Sequence, residues 1–525
     1  MAQQYTETKS KWREKKMITV HRYIIVTLVF LLTIFFADAQ KKAVFNINTA
    51  QQRKPISPFI YGTNDPYGFA GSKRLGGNRL TNYNWENNAS NAGRDWYHES
   101  DNYVPWQQGV PDQEYDSAGA AIKYFHQRSL QQGAYSLVTL PLAGYVARDK
   151  NGAIAESQSA PSNRWTSVEF RKPQELLPFR LRPDLTDNKL YVDELLNYLL
   201  HHFGTSSTST GIRGYSLDNE PGLWFDTHSR LWGHTPVTVK YLMEKSIGLS
   251  TLIKEMDPNA EVFGPASWGI TEFENLQFAP DWDQEKGNYP TFIDLYLGRM
   301  REKHVETGKR LLDVLDVHWY PQGNNNGISP FNNGTDYETN RVRMEMTRSL
   351  WDSTYIENTW IGNDPFKVQQ FLPFIPKMHK HIDNYYPGTK LGITEYAYMG
   401  TGHASGGIAQ ADALGIFGKQ GLYFANYWGA VVDFVKSGFD LYRNYDGKGG
   451  KFGSTSVLSN TNDINATSVH ASIEGESDSI VHVVALNKSQ DSAITVTIQV
   501  NSSRQYRSAK VYAFDNGSPV LRQLK

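Results

Sequence analysis

The sequence has no cysteine. That excludes disulfides, thiolate metal sites, cysteine nucleophiles and lipid attachment through an N-terminal cysteine. A chain of 525 residues built this way must be held by its core, which favours a bacterial periplasmic or extracellular protein over an animal secreted one. Charge of one sign is lacking too: the net charge is -1 with 20% charged residues. That balance carries no electrostatic footprint for nucleic acid, and no nucleic-acid partner is expected. Internal repeats and low-complexity tracts are absent. Asn88-Ala89-Ser90, Asn333-Gly334-Thr335 and Asn465-Ala466-Thr467 match the glycosylation acceptor, a match without meaning in a bacterial chain.

A long apolar run occurs at the N-terminus, from Tyr23 to Phe36. Lys9, Lys11, Arg13, Lys15, Lys16 and Arg22 precede it and Ala37-Asp38-Ala39 closes it. Basic region, apolar stretch and A-x-A site make a secretory signal over residues 1–39, with Gln40 as the mature start. The run is short for a membrane span, so no stable membrane association is expected; left uncleaved, it would be an anchor. The basic region is long enough for translation to begin at Met17.

Aromatic residues, in contrast, are plentiful, at 13%. They serve cores, and they also suit a protein that stacks pyranose faces.

Short β-rich runs alternate with helical stretches: Pro58 to Gly62, Lys73 to Gly77, Ser136 to Leu140, Gly214 to Asn219, Glu261 to Pro265, Leu312 to Trp319, Lys390 to Tyr396 and Leu422 to Trp428. Several are continuously apolar, as strands buried on both faces are. Between them, Asp193 to Phe203 reads as a helix. So does the stripe Val239 to Met256, capped by Thr235-Pro236 and stopped at Asp257-Pro258. Eight such strands imply a (β/α)8 barrel over residues 58–445. Residues 446–525 change character, with alternating strands at Ile480 to Leu486, Ile494 to Val500 and Lys510 to Phe514. They read as a small antiparallel β-sandwich, joined by a strand from residues 40–57. The long stretch Trp85 to Leu130 reads as a substrate-facing insertion.

The most informative string is Ser216-Leu217-Asp218-Asn219-Glu220-Pro221-Gly222. Proline pushes Glu220 out of the helical region, so an extended turn is expected there. Asn219 and Glu220 then lie at the carboxyl end of the fourth strand, where barrels place their chemistry. Glu395 ends the seventh strand. Carboxylates at strands four and seven face each other, and a spacing of roughly 5 Å suits a retaining glycosidase with one nucleophile and one acid/base. His318 or Tyr320 could hydrogen-bond the nucleophile, and Arg74 could orient it. Trp85, Trp224, Trp319, Tyr396 and Trp428 are candidate substrate contacts, with Trp224 expected to be exposed.

Several segments resemble glycoside hydrolase family 44, the endoglucanases and xyloglucanases. They include Ile56 to Asn64, Arg74-Leu75-Gly76-Gly77-Asn78, Tyr83 to Gly93, Tyr145 to Ala147 with Asp149 to Gly152, Tyr215 to His228 and Gly392 to Tyr398. The resemblance implies a barrel with an attached β-sandwich and retaining hydrolysis of internal β-1,4-glucosidic bonds. It puts the acid/base at Glu220 and the nucleophile at Glu395. Family members also carry metal ions, calcium included, so a structural calcium is possible although the chemistry requires no cofactor. Asp149 and Asp187 are the candidate ligands. A β-glucan is the expected partner and a monomer the expected state. A β-1,4-mannanase or xylanase is the nearest alternative; a catalytically silent glycan-binding protein is one of another class.

Overall fold

The computed structural model describes residues 41–66, 71–323 and 333–524; the leader expected over residues 1–39 lies outside them. Eight parallel strands close into a barrel. In chain order they are β1 (Gly62–Thr63), β2 (Ser72–Leu75), β3 (Tyr135–Leu140), β4 (Gly214–Leu217), β5 (Glu261–Ser267), β6 (Val314–Trp319), β7 (Lys390–Tyr396) and β8 (Phe424–Tyr427). Each pairs with its sequence neighbours, and β8 returns to β1. Apart from the outermost residues Glu261 and Lys390 the strands are buried along their length, because the lumen is packed with side chains and helices cover the outside.

The helix Val239–Met256 lays Leu242, Leu249, Leu252 and Ile253 on the barrel. Its cap is Thr238, whose side chain accepts from the Tyr241 amide at 3.1 Å. The Thr235-Pro236 pair therefore lies one turn too early to be the cap. Between β2 and β3 the insertion is shorter than Trp85 to Leu130, because Ala120–Gln131 is a helix of the barrel ring packed on β3.

The C-terminal module is a mixed sheet. Thr455–Thr461, Thr467–Glu474 and Ser477–Asn487 run antiparallel. Lys41–Asn48 from the N-terminus enters between Thr455–Thr461 and Ile494–Asn501, parallel to the latter. Val511–Asp515 forms a separate hairpin with Ser518–Leu524. The sheet docks on the barrel helix Ala404–Gln420 through a buried charge cluster. There Asp412 accepts from Thr347 Oγ1 at 2.7 Å, meets His470 Nε2 at 2.8 Å and has Lys488 Nζ at 3.6 Å. Burial would raise the Asp412 carboxyl, but Lys488 and His470 outweigh it and hold it far below the usual range.

Candidate active site

The chain leaves β4 through a strained turn. Asp218 and Glu220 have φ of 64° and 45°, in the left-handed region. The proline does exclude right-handed helix at Glu220, but the result is left-handed rather than extended. The turn holds because its polar groups are taken up. Asp218 accepts from the amides of Leu142, Ala143 and Asn219. The Glu220 amide donates to the Ala266 carbonyl at 2.9 Å, and Trp224 Nε1 to the Asn219 carbonyl at 2.9 Å.

At the mouth, two carboxyl groups face one another across His318. Glu395 receives Arg74 Nη1 on Oε1 at 2.7 Å and the Tyr320 hydroxyl on Oε2 at 2.8 Å. Each of its oxygens is thus held by one donor, and the carboxyl is fixed in orientation. Arg74 also donates to Asn219 Oδ1 at 2.7 Å, so β2, β4 and β7 are tied by one guanidinium. Glu220 Oε1 lies 2.8 Å from His318 Nδ1, which is 3.6 Å from Glu395 Oε2. Facing atoms of Glu220, His318 and Glu395 all lie within 4.8 Å of one another. A pair of carboxylates and an imidazole this close could also grip a cation, but Arg74 and Tyr320 already occupy both oxygens of Glu395.

Burial drives the electrostatics. It pushes the Glu220 carboxyl up to about 7, opposed by Arg74 and helped by Asp95. It pushes His318 down to about 3, so the imidazole is neutral. His318 Nε2 is buried without a partner, which places the ring proton on Nδ1, between the two carboxyl groups.

Trp428, 37% exposed, also stands at the mouth. Its ring crosses Gly77, where a Cβ would lie 2.4 Å from it; Gly77 is also at φ of 85°, so glycine is needed there twice over.

Four proposed substrate contacts are core instead. Trp319 and Tyr396 each follow a lumen residue, His318 or Glu395, and strand alternation turns them outward. Trp319 stacks on Phe374 with centroids 4.1 Å apart, and the Tyr396 hydroxyl meets Gln410 Nε2 at 2.9 Å. Trp224 is fully buried behind the turn it braces, and Trp85 packs on Tyr198. None offers an open ring face.

Residues that the sequence reading passed over complete the rim. Asn219 Nδ2 donates to Asn78 Oδ1 at 3.2 Å, and Asn78 Nδ2 to Asp95 Oδ2 at 2.9 Å. Trp96 and Tyr97, 57% and 76% exposed, follow Asp95. They lie within the aromatic insertion, and the signal available was its composition. Beneath the mouth, Asp316 accepts from Thr394 Oγ1 at 2.7 Å.

The metal candidates lie elsewhere. Asp149 does not fit a cation ligand: Arg164 takes both of its oxygens, at 2.7 and 2.9 Å. Asp187 fits better. The buried Glu86 carboxyl is pushed up to about 8 by burial and by the charges of Asp187, Glu194 and Asp184, with Lys172 opposing. The Asp187 charge thus acts on a buried carboxyl, a pairing that a hard cation would neutralise.

A carboxyl group held by two donors, facing a second whose proton burial retains up to about pH 7, is what cleavage of a glycosidic bond requires at a barrel mouth. The protein is a glycoside hydrolase. The sequence profile of glycoside hydrolase family 44 matches residues 89–323. Endoglucanase A of Paenibacillus lautus is 47% identical over 522 residues, covering 98% of this chain and 74% of that protein. The structure of a family 44 xyloglucanase from Paenibacillus polymyxa with xyloglucan superimposes with a TM-score of 0.89 at 47% identity, covering 92% of this chain and 95% of that one. A family 44 endoglucanase from Clostridium thermocellum gives 0.87 at 48% identity, with coverage of 92% and 95%. The chain belongs to glycoside hydrolase family 44 and is a hydrolase of the endoglucanase and xyloglucanase type.

Proposed function

We propose that this protein is an exported, retaining endo-β-1,4-glucanase acting on xyloglucan and related glucans, with Glu395 as nucleophile and Glu220 as acid/base. The observation that carries the reading is the separation of the pair. Oxygens within 4.8 Å of each other leave no room for the water that an inverting enzyme holds between carboxylate and sugar. In the first step Glu395 attacks the anomeric carbon while Glu220 gives its proton to the departing glycosidic oxygen. In the second, the ionised Glu220 takes a proton from water, water attacks the glycosyl ester, and Glu395 leaves as carboxylate. Arg74 and Tyr320 stabilise that carboxylate at departure, and the proton returns to Glu220 for the next turnover. A Glu220 carboxyl that titrates at about 7 can serve both steps near neutral pH.

The leader supports export. Among the described residues no helix is long and apolar enough to cross a membrane. A structural calcium would be held by Glu86 and Asp187, where it would neutralise buried acids; no step of the chemistry runs through it.

The test has two parts. Purified enzyme is assayed side by side on xyloglucan, carboxymethylcellulose, mannan and xylan, and the anomer first released is read by proton NMR. Glucan hydrolysis with β-anomer first is expected. Release of the α-anomer would remove the double displacement, and preference for mannan or xylan would reassign the substrate. Glu220→Ala should lose far more activity on polysaccharide than on aryl glycosides with good leaving groups, and azide should partly restore it.

A further inference from the structure

A third carboxyl lies beneath the acid/base, outside the chemistry just described. Glu272, on the short helix Ile270–Asn275, is fully buried. Its Oε2 accepts from the Trp268 amide at 3.1 Å. The same oxygen lies against Gly222: a Cβ there would stand 2.8 Å from it. Oε1 and the Ser267 hydroxyl are both buried without a partner of ordinary geometry, and the two side chains lie close enough to interact.

The segments around Glu272 are unusual. On one side is the Glu220-Pro221-Gly222 turn, with Glu220 left-handed. On the other is the end of β5, where the register slips between Pro265 and Ser267 and Ala266 has φ of 56°. The two strained residues are bonded to each other, Glu220 amide to Ala266 carbonyl. Neither conformation is favourable for a side-chain-bearing residue, and such strain persists only where neighbours over-determine it.

We infer that Glu272 is a positioning residue for Glu220: as a neutral acid, buried between the strained turn and the β5 bulge, it ties the two together and fixes the acid/base carboxyl in its place at the mouth. Neutrality follows from the surroundings. Burial pushes the Glu272 carboxyl up to about 8, the Glu220 charge adds to this, and the Trp268 and Gly222 amides and the Ser267 hydroxyl oppose it. Glu220 is the titratable group acting on it, and only when ionised; the nearby Gln277 is neutral.

The inference rests on Glu220 being the acid/base, so Glu220→Ala is measured alongside. Glu272→Ala should lower kcat on polysaccharide by roughly 10- to 100-fold, lower it much less on aryl glycosides with good leaving groups, and leave KM little changed. Glu272→Gln, neutral and of the same shape, should restore most of the loss. It should also keep the alkaline limb of kcat/KM within about half a unit of its usual position. Equal losses on both substrates in Glu272→Ala would mean a merely structural role and overturn the inference, provided Glu220→Ala does discriminate between them. If Glu220→Ala fails to discriminate, the fault lies with the acid/base assignment instead. Should Glu272→Ala not fold, Glu272→Gln decides alone. An alkaline limb moved well to lower pH would reveal an ionised Glu272 and overturn its neutral role; an unmoved limb with activity kept supports it.

Discussion

Replacing Glu220 with glutamine should make the protein more stable and nearly inactive, with the stability gain growing as pH rises. The Glu220 side chain is only 14% exposed, and burial lifts its carboxyl from 4.5 to about 7. Below 4.5 the folded and unfolded chains both hold the proton, and Glu220 contributes no pH dependence. Between 4.5 and about 7 the unfolded chain has released the proton while the folded chain keeps it, so stability falls as pH rises. Above about 7 the penalty is complete. A lift of this size corresponds to roughly 3 kcal/mol. Glutamine is neutral in both states and escapes it. For a chain of this length the unfolding entropy is roughly 1 kcal/mol per kelvin, so the melting temperature of Glu220→Gln relative to the parent should rise by about 3 °C between pH 4.5 and pH 8. Scanning calorimetry of both proteins across that range reads the difference directly. Hydrolysis of xyloglucan should fall by roughly 10²- to 10⁴-fold, the contribution of a general acid. A melting difference that does not change with pH would refute the buried, protonated Glu220. Activity retained within about tenfold would refute its role in proton transfer.

Other perturbations probe the rest of the site. Tyr320→Phe removes one of the two donors on Glu395 and should cost roughly 10- to 100-fold in kcat, as charge-assisted hydrogen bonds do, with melting almost unchanged. Trp224→Ala should destabilise by about 3–5 kcal/mol, read by urea unfolding, because the indole is wholly enclosed, whereas Trp428→Ala should leave stability nearly untouched and raise KM for polysaccharide. Chelation should lower the melting temperature of the parent but not of Glu86→Gln, and Asp149→Ala should still respond; equal responses in the parent and Glu86→Gln would rule out calcium at Glu86.

The barrel is legible in the sequence because its strands are continuous apolar runs with helices between them. Each of the eight expected strands overlaps a strand of the closed barrel. The errors fall where a local rule met a competing one. Thr235-Pro236 and Thr238 both satisfy capping preferences, and only the observed bond to the Tyr241 amide chooses between them. In the C-terminal sheet, Thr455–Thr461 and Thr467–Glu474 are rich in serine and threonine. Their burial comes from contact with the helix Ala404–Gln420, which no short-range pattern announces.

The site divides along the same line. Residue types with few uses at a strand end could be picked out from the sequence: Glu220, Glu395, Arg74, His318 and Tyr320 all meet at the mouth. Tryptophan has too many uses to be read this way, since a ring that could stack on sugar could equally fill a core. Strand alternation points the right way in His318-Trp319 and Glu395-Tyr396, although β7 is irregular between Ile393 and Tyr396 and Thr394 also reaches Asp316. The polar residue is the one that finds partners there, so the aromatic must go outward. What the sequence cannot carry is the third dimension of the turn at Glu220. Its left-handed backbone is set by contacts with Ala266 and Trp224, and with Leu142 and Ala143 through Asp218. The acidity of Glu220 likewise belongs to the assembled mouth, because burial is its largest cause and Asp95 and Arg74 act on it from the insertion and from β2.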